Sequence, residues 1–177
     1  LSGRAAFAAR LEELGISFDS KEEFGEAFTR FKELADKKRE IFDEDLQALV
    51  SDVQLGTQGD ALTLIDLEVL SKTGQSPLAK IGIRYKDKDH SAEASGDGAV
   101  DAIFNAIEKL VNSETKLQLY SVNAVTQGTD SQGGVTVRLE KAGRIINGQG
   151  ADTDILLASA KAYLNALTLM RNPGTLH

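Results

Sequence analysis

The sequence predicts an α+β fold in which a helical segment of about fifty residues precedes two pseudo-symmetric βββα units, with sheets in one layer and helices in another. Up to about residue 50, apolar residues recur at every third or fourth position, and from residue 52 they alternate with polar residues. The order of three strands and one helix then occurs twice. We therefore expect a helical linker subdomain at residues 1–50 and a duplicated domain at residues 51–177.

The first fifty residues carry signals for three helices. The first helix ends at Gly15, and its apolar face consists of Phe7, Leu11 and Leu14. Ser20 and Glu23 form a capping box before the second helix. The apolar stripe of that helix consists of Phe24, Phe28, Phe31 and Leu34. The stretch DEDLQALV predicts a third helix, capped by Asp43 and running to about Val50.

Six later segments alternate as strands do, and each group of three leads into a helical pattern. The first group is LTLIDLEVLS, LAKIGIRYKD and KDHSAEAS, followed by the helix in GDGAVDAIFNAIEKLV. The second group is LQLYSVNAVTQG, GGVTVRLEKA and GRIINGQG, followed by the helix ADTDILLASAKAYLNALTLM. A Gly-x-Gly-Ala motif is predicted to close the third strand and open the helix in each half; its residues are Gly96, Gly98 and Ala99, then Gly148, Gly150 and Ala151.

The repeated glycine motif has two interpretations. Bare backbone at a helix N-terminus, where N–H groups are unpaired, suits an anion or carboxylate. Small residues are equally favoured where a helix must lie close to a sheet. A dinucleotide site is disfavoured because neither copy has the third glycine and both follow apparently antiparallel strands. A P-loop is excluded because no glycine has the required Lys and Ser or Thr after it.

The amino-acid composition limits the classes of function that this chain can have. A formal net charge of −7 disfavours nucleic acid and anionic membranes as partners. The absence of cysteine excludes disulfides and thiol chemistry and fits a cytoplasmic location. No apolar run is long enough to span a membrane. The histidines, His90 and His177, form no metal or catalytic cluster, and the abrupt helical start suggests a fragment of a longer protein.

Five stretches in colinear order resemble the C-terminal part of 2-isopropylmalate synthase. They are SGRAAF, FKELADKKREIFDEDLQALV, GDGAVDA, YSVNAVTQGTDSQGGVTVRL and NGQGADTDILLASAKAYLNAL. The resemblance implies a parent enzyme whose N-terminal barrel, absent here, binds a divalent metal and condenses acetyl-CoA with 2-oxoisovalerate for leucine biosynthesis. It implies that this chain is the helical linker and the regulatory domain, inactive by itself and without a cofactor, which forms a homodimer and binds L-leucine as feedback inhibitor.

The resemblance also implies a leucine site at the dimer interface. Its residues are Gly96, Asp97, Gly98, Ala99, Val100, Asp101, Leu117, Tyr120, Ala124, Ser131, Gly133 and Ile155. Backbone donors would hold the carboxylate, and carbonyl groups or Asp101 would hold the ammonium. The chain departs from the family pattern where Ala99 replaces a frequent proline and Ser131 a frequent alanine.

Three alternatives stay open at this point. The regulatory domain of citramalate synthase shares the fold and senses isoleucine, so the resemblance at domain level alone does not fix the effector. Leucine is favoured because the SGRAAF and ADKK stretches look more like 2-isopropylmalate synthase. A purely structural dimerisation module would use the glycines for packing alone. An independent small enzyme would need an acid, base or nucleophile that the sequence does not display.

Overall fold

The computed structural model describes residues 3–18, 20–37, 40–56, 60–124 and 133–170. The chain divides into two compact units, Leu1–Thr57 and Gln58–His177. Within the described residues the first unit contains helices and the second contains two sheets with two helices. The predicted α+β class is thereby confirmed.

The first unit contains three helices: α1 (Gly3–Glu13), α2 (Lys21–Lys37) and α3 (Asp43–Gly56). The chain leaves α1 through Gly15, whose φ of +74° is left-handed, and the N–H of Ile16 donates to the carbonyl of Leu11 at 2.9 Å. At the start of α2, the Oγ of Ser20 accepts the N–H of Glu23 at 3.2 Å. The predicted stop at Gly15 and the predicted cap at Ser20 are both confirmed.

The N-terminus of α3 differs from the prediction. Asp43 is the first helical residue instead of the cap, and its carboxylate receives the guanidinium of Arg10 from α1, with Nε to Oδ1 at 2.8 Å. The N–H of Phe42 instead donates to Oδ2 of Asp45 at 2.8 Å. Asp43 therefore ties α3 to α1, because its carboxylate pairs with a cation on the neighbouring helix.

Helix α3 also continues beyond its predicted end at Val50 and reaches Gly56. Val53, only 1% exposed, adds a further apolar residue at helical spacing, so burial extends the helix by another turn. The predicted boundary at residues 50 and 51 falls inside this helix. The buried residues of this unit's core are Phe7, Leu11, Ala27, Leu46, Leu49, Val50 and Val53.

The second unit repeats the order of three strands and one helix. The elements are β1 (Thr63–Leu70), β2 (Leu78–Tyr85), β3 (Lys88–Ser95), α4 (Ala99–Val111), β4 (Lys116–Ala124), β5 (Gly133–Lys141), β6 (Arg144–Asp152) and α5 (Ile155–Leu169). Two antiparallel sheets have the orders β1-β2-β3 and β4-β5-β6. The predicted βββα duplication is confirmed, although the predicted end of the fourth strand, at residues 125–128, lies outside the described residues.

Matching irregularities support the equivalence of the two halves. Two-residue turns with positive φ at both positions join β2 to β3 at Lys86–Asp87 and β5 to β6 at Ala142–Gly143. Such turns match the twist of the strands that they connect. A shift of register interrupts β1 between Leu64 and Asp66 and β4 between Leu117 and Leu119. The halves therefore share their backbone plan down to a bulge in the first strand.

The two Gly-x-Gly-Ala motifs, however, occupy different places. Gly98 is the N-cap of α4, as predicted for the first copy. Gly148 and Gly150 instead lie inside β6, and α5 begins at Ile155 after its N-cap Asp154. The prediction that the second copy opens a helix is therefore wrong.

Close packing explains the glycines of the second copy. A Cβ built on Gly148 would overlap the carbonyl oxygen of Ala162, and one built on Gly150 would overlap that of Ala158. Both oxygens belong to α5, so these glycines let the helix backbone approach β6 closely. The packing interpretation is the one that applies to this copy.

The core of the second unit lies between its sheets and helices. Helix α4 packs on β2 and β3, helix α5 packs on β5 and β6, and the two helices contact each other. The central strands contribute Ala79, Ile81, Ile83, Val135, Val137 and Leu139, all fully buried. The two halves thus share one continuous hydrophobic core, which fixes the position of the elements that carry the predicted site.

Candidate functional site

The first predicted segment of the site is the turn between β3 and α4. Gly98 caps the helix with extended backbone (φ −147°, ψ 175°), and no side chain accepts a hydrogen bond from the first helical turn at this cap. A Cβ built on Gly98 would have no atom within 4 Å, so the space beside the cap is open. The first N–H groups of a helix lack partners within the helix and carry its positive end. This turn therefore suits an anionic group.

Gly96 and Asp101 shape the same turn. A Cβ on Gly96 would overlap the backbone nitrogen of Ala102 and lie 2.7 Å from Oδ2 of Asp101. That oxygen accepts the N–H of Asp97 at 2.8 Å. Glycine is therefore required at position 96, because the backbone of α4 lies too close for a side chain. Gly98, in contrast, leaves the end of the helix open.

The equivalent end of α5 is already occupied by carboxylates. Asp154 accepts the N–H of Leu156 at 2.8 Å, and Asp152 accepts the N–H of Asp154 at 2.9 Å and pairs with Lys161 at 2.9 Å. The N–H of Asp154 and then the ammonium of Lys161 lower the pKa of Asp152. The carboxylate of Asp154 takes an N-terminal N–H group of α5 that an anionic ligand would otherwise use. The two halves have therefore diverged at their helix N-termini.

Strand β4 carries the second predicted segment, and part of its helix-facing side is uncovered. Leu117, Tyr120 and Val122 pair with residues of β5 that are fully buried, which places them on the side of the sheet that faces the helices. Nevertheless Leu117 is 48% exposed and Val122 is 50% exposed. We call these three residues the β4 face. It offers apolar surface beside the core, as an aliphatic ligand or a second protein chain requires.

Tyr120 is held in place by both helices. Its hydroxyl lies 2.7 Å from Oγ of Ser159 on α5, and its ring meets Phe104 of α4 edge-on, with centroids 6.0 Å apart. Phe104 in turn packs against Tyr163 in a tilted arrangement, with a centroid distance of 4.3 Å. Tyr120 therefore connects the second sheet to the helices of both halves.

Ile155 and Gly133 form a third contact in the site. A Cβ on Gly133 would overlap Cδ1 of Ile155, so the glycine makes room for the isoleucine side chain. Val100, Tyr120 and Ile155 are partly buried and pack against the same core. The structure thus gathers three of the predicted apolar residues around one core and leaves Leu117 half exposed.

Two further residues of the predicted site are Ala124 and Ser131. Ala124 is the last residue of β4, and its side chain is not described. Ser131 lies outside the described residues.

Three residues that the sequence prediction omitted belong to this arrangement. Phe104 and Ser159 contact Tyr120, and Val122 extends the β4 face. Val122 follows Tyr120 at the strand period of two, and Ser159 follows Ile155 at the helical spacing of four. These spacings could have pointed to Val122 and Ser159 in the sequence. Neither spacing shows that β4 and α5 come into contact.

The described part of the chain lacks two features, a cluster of metal-ligating side chains and a membrane-spanning helix. Among those residues, no three His, Asp or Glu side chains are grouped so that they could hold a metal ion. No described helix is both long and apolar enough to cross a membrane.

These features define the class: an α+β domain built from a duplicated βββα unit, with an open helix N-terminus beside a partly uncovered apolar strand. The family model described as "LeuA allosteric (dimerisation) domain" matches residues 40–170. The chain belongs to this family.

Curated relatives agree with the family model. Proteins named 2-isopropylmalate synthase are 60% identical over 94% of the chain in Chromobacterium violaceum, 58% over 97% in Nitrosospira multiformis and 55% over 97% in Methylococcus capsulatus. The alignments cover 33%, 33% and 34% of those proteins respectively. The chain thus spans about a third of the length of the curated relatives that it matches.

Proposed function

We propose that this chain is the linker and regulatory part of a 2-isopropylmalate synthase and that it binds L-leucine as feedback inhibitor between two copies of itself. Family membership and the names of the relatives support the parent enzyme. The parent would condense acetyl-CoA with 2-oxoisovalerate in a barrel that binds a divalent metal. That barrel is not part of these 177 residues, so the chain alone is expected to have no synthase activity.

The observation that carries the proposal is the contrast between the two helix N-termini. The α4 end, capped by Gly98, is open, whereas Asp154 and Asp152 occupy the α5 end. The α-carboxylate of an amino acid would therefore bind at α4, where backbone N–H groups and the helix dipole favour a negative charge. The ammonium group would lie near Asp97 and Asp101, whose carboxylates supply the opposite charge.

Apolar side chains of this unit are suited to contact both the branched side chain of leucine and a second copy of the chain. Val100, Tyr120 and Ile155 are partly buried around one core and would receive the isobutyl group. The half-exposed side chains of Leu117 and Val122 would lose water contact if a second copy covered the β4 face. Burial of apolar area contributes roughly 25 cal/mol per Å², which favours such an arrangement.

Isothermal titration of the chain with L-leucine, L-isoleucine and L-valine tests the effector. We expect leucine to bind most tightly and, at a hundred times its Kd, to stabilise the chain by about 2.7 kcal/mol. The expected rise in Tm is roughly 5 to 10 °C.

Other outcomes would favour the alternatives. Preferential binding of isoleucine would indicate a citramalate synthase type of regulatory domain. A stable dimer that binds none of the three amino acids would indicate a purely structural dimerisation module and would overturn the effector proposal.

A further inference from the structure

Tyr120 and Ile155, two residues of the predicted effector site, are connected by one buried hydroxyl. Ser159 lies on α5 and is fully buried. Its Oγ donates to the carbonyl oxygen of Ile155 at 2.7 Å and lies 2.7 Å from the hydroxyl of Tyr120. Tyr120 and Ile155 are far apart in sequence, and Ser159 links the strand that carries one to the helix that begins with the other.

The direction of both hydrogen bonds follows from the number of protons. A serine hydroxyl has one proton, and a carbonyl oxygen can only accept. Since Ser159 gives its proton to Ile155, the hydroxyl of Tyr120 must donate to Oγ of Ser159. The result is a directed chain of hydrogen bonds from the tyrosine through the serine to the first residue of α5.

The surroundings of Tyr120 make this bond important for the position of its ring. Along β4, Leu117 and Val122 lie on the same side of the sheet as Tyr120 and are half exposed. Phe104 supports the ring at one edge with a centroid distance of 6.0 Å. The hydrogen bond to Ser159 fixes the other end of the side chain, because it restrains the hydroxyl group.

We propose that Ser159 is a positioning residue of the effector site, which holds the Tyr120 ring against α5 in the orientation that receives an amino-acid side chain. This role rests on the proposed leucine binding. Ser159 does not touch the ligand; it acts through Tyr120 and through the backbone of Ile155. The chemistry that it serves is recognition of a branched aliphatic side chain by a fixed aromatic wall.

A double-mutant cycle tests the role, with L-leucine affinity measured by titration calorimetry on the wild-type chain, Ser159→Ala, Tyr120→Phe and the double variant. Each single variant is expected to weaken leucine binding by about two- to tenfold, as expected for one lost net hydrogen bond. The affinity of the double variant for leucine is expected to equal that of the single variant that binds leucine less tightly, because both changes remove the same hydrogen bond.

Thr168→Ala is the matched control. Thr168 lies on the same helix, is 2% exposed, donates to the carbonyl of Leu164 at 2.9 Å and accepts the N–H of Leu62 at 3.1 Å. It has the same buried back-bonding geometry as Ser159, but its hydrogen bonds go to Leu164 and Leu62 instead of Tyr120. We expect this variant to lower Tm and to leave the Kd for leucine unchanged.

The outcomes separate this inference from the proposed function. Wild-type protein that binds leucine, together with a Ser159→Ala variant of equal affinity, would overturn the positioning role alone. Fully additive losses in the double variant, or an equal loss of affinity in Thr168→Ala, would overturn it as well. Wild-type protein that does not bind leucine would overturn the proposed function, and the positioning role with it.

Discussion

At the scale of single residues, Gly98 and Asp154 show how one position can either open or close a helix end. Both are N-caps with extended backbone, and they follow equivalent hairpins. Asp154 caps its helix with its own carboxylate, while Gly98 leaves the helix end open. Helix N-termini favour negative charge, so a carboxylate at either position takes the place that a ligand anion would use.

Gly98→Asp is therefore expected to weaken leucine binding strongly without unfolding the domain. The backbone at Gly98 is extended and a Cβ there meets nothing within 4 Å, so aspartate fits and caps α4. Its charge would repel the carboxylate of leucine and raise the Kd about tenfold or more. Calorimetric titration measures this change, and the melting temperature verifies the fold.

Gly98→Asn provides the control for charge, since its side chain caps the helix but is neutral. It is expected to lose less affinity than the aspartate variant. Leucine binding by Gly98→Asp with wild-type affinity would mean that the carboxylate site lies elsewhere.

At the scale of elements, the contact between β6 and α5 depends on glycine. A Cβ on Gly150 would overlap the carbonyl oxygen of Ala158 and lie 2.6 Å from the nitrogen of Ala162. Counted from the two hairpin turns, the position equivalent to Gly150 in β3 is Ala94. The second half thus requires a smaller residue than the first, although both halves share one backbone plan.

Gly150→Ala is expected to destabilise the second unit by about 1 to 3 kcal/mol, because α5 must shift to accept the methyl group. Urea unfolding followed by tyrosine fluorescence measures the effect. The three tyrosines, Tyr85, Tyr120 and Tyr163, all belong to this unit, and the chain has no tryptophan. Gly98→Ala is the matched control with open space at its Cβ, and we expect a smaller loss. Equal losses in both variants would contradict the packing role of Gly150.

At the scale of the whole molecule, the proposed homodimer would cover apolar surface that one chain leaves in water. Leu117 and Val122 are about half exposed on the helix-facing side of their sheet. A two-fold interface uses the same surface of both copies, so one substitution changes both halves of the contact.

Analytical ultracentrifugation of the 19.0 kDa chain is expected to show a species of twice that mass. Val122→Lys is expected to shift the population towards the monomer, because two buried lysines would face an apolar contact. Ile145→Lys, which changes a residue 53% exposed on β6, serves as the control for added charge. A wild-type chain that sediments as a monomer at all concentrations, or a dimer unaffected by Val122→Lys, would contradict an interface at the β4 face.

The sequence by itself determined the order of the elements and the local signals that start and stop them. Gly15 ends α1, Ser20 caps α2, and the alternation of apolar residues marks the strands, because each of these features depends on neighbours within a few residues. It also predicted the open glycine turn at Gly98, since a helix N-terminus is a local property.

Only the tertiary structure determined which residues that are far apart in the sequence come into contact. The two Gly-x-Gly-Ala motifs have the same pattern, but one supplies the N-cap of α4 and the other makes a close contact between β6 and α5. The sequence does not show this difference, because it depends on where α5 lies. The contact of Ser159 with Tyr120 is a second example, because the two hydroxyl groups lie on different elements, α5 and β4. Packing distances and hydrogen bonds between elements are set by the folded core, and no local pattern in the chain encodes them.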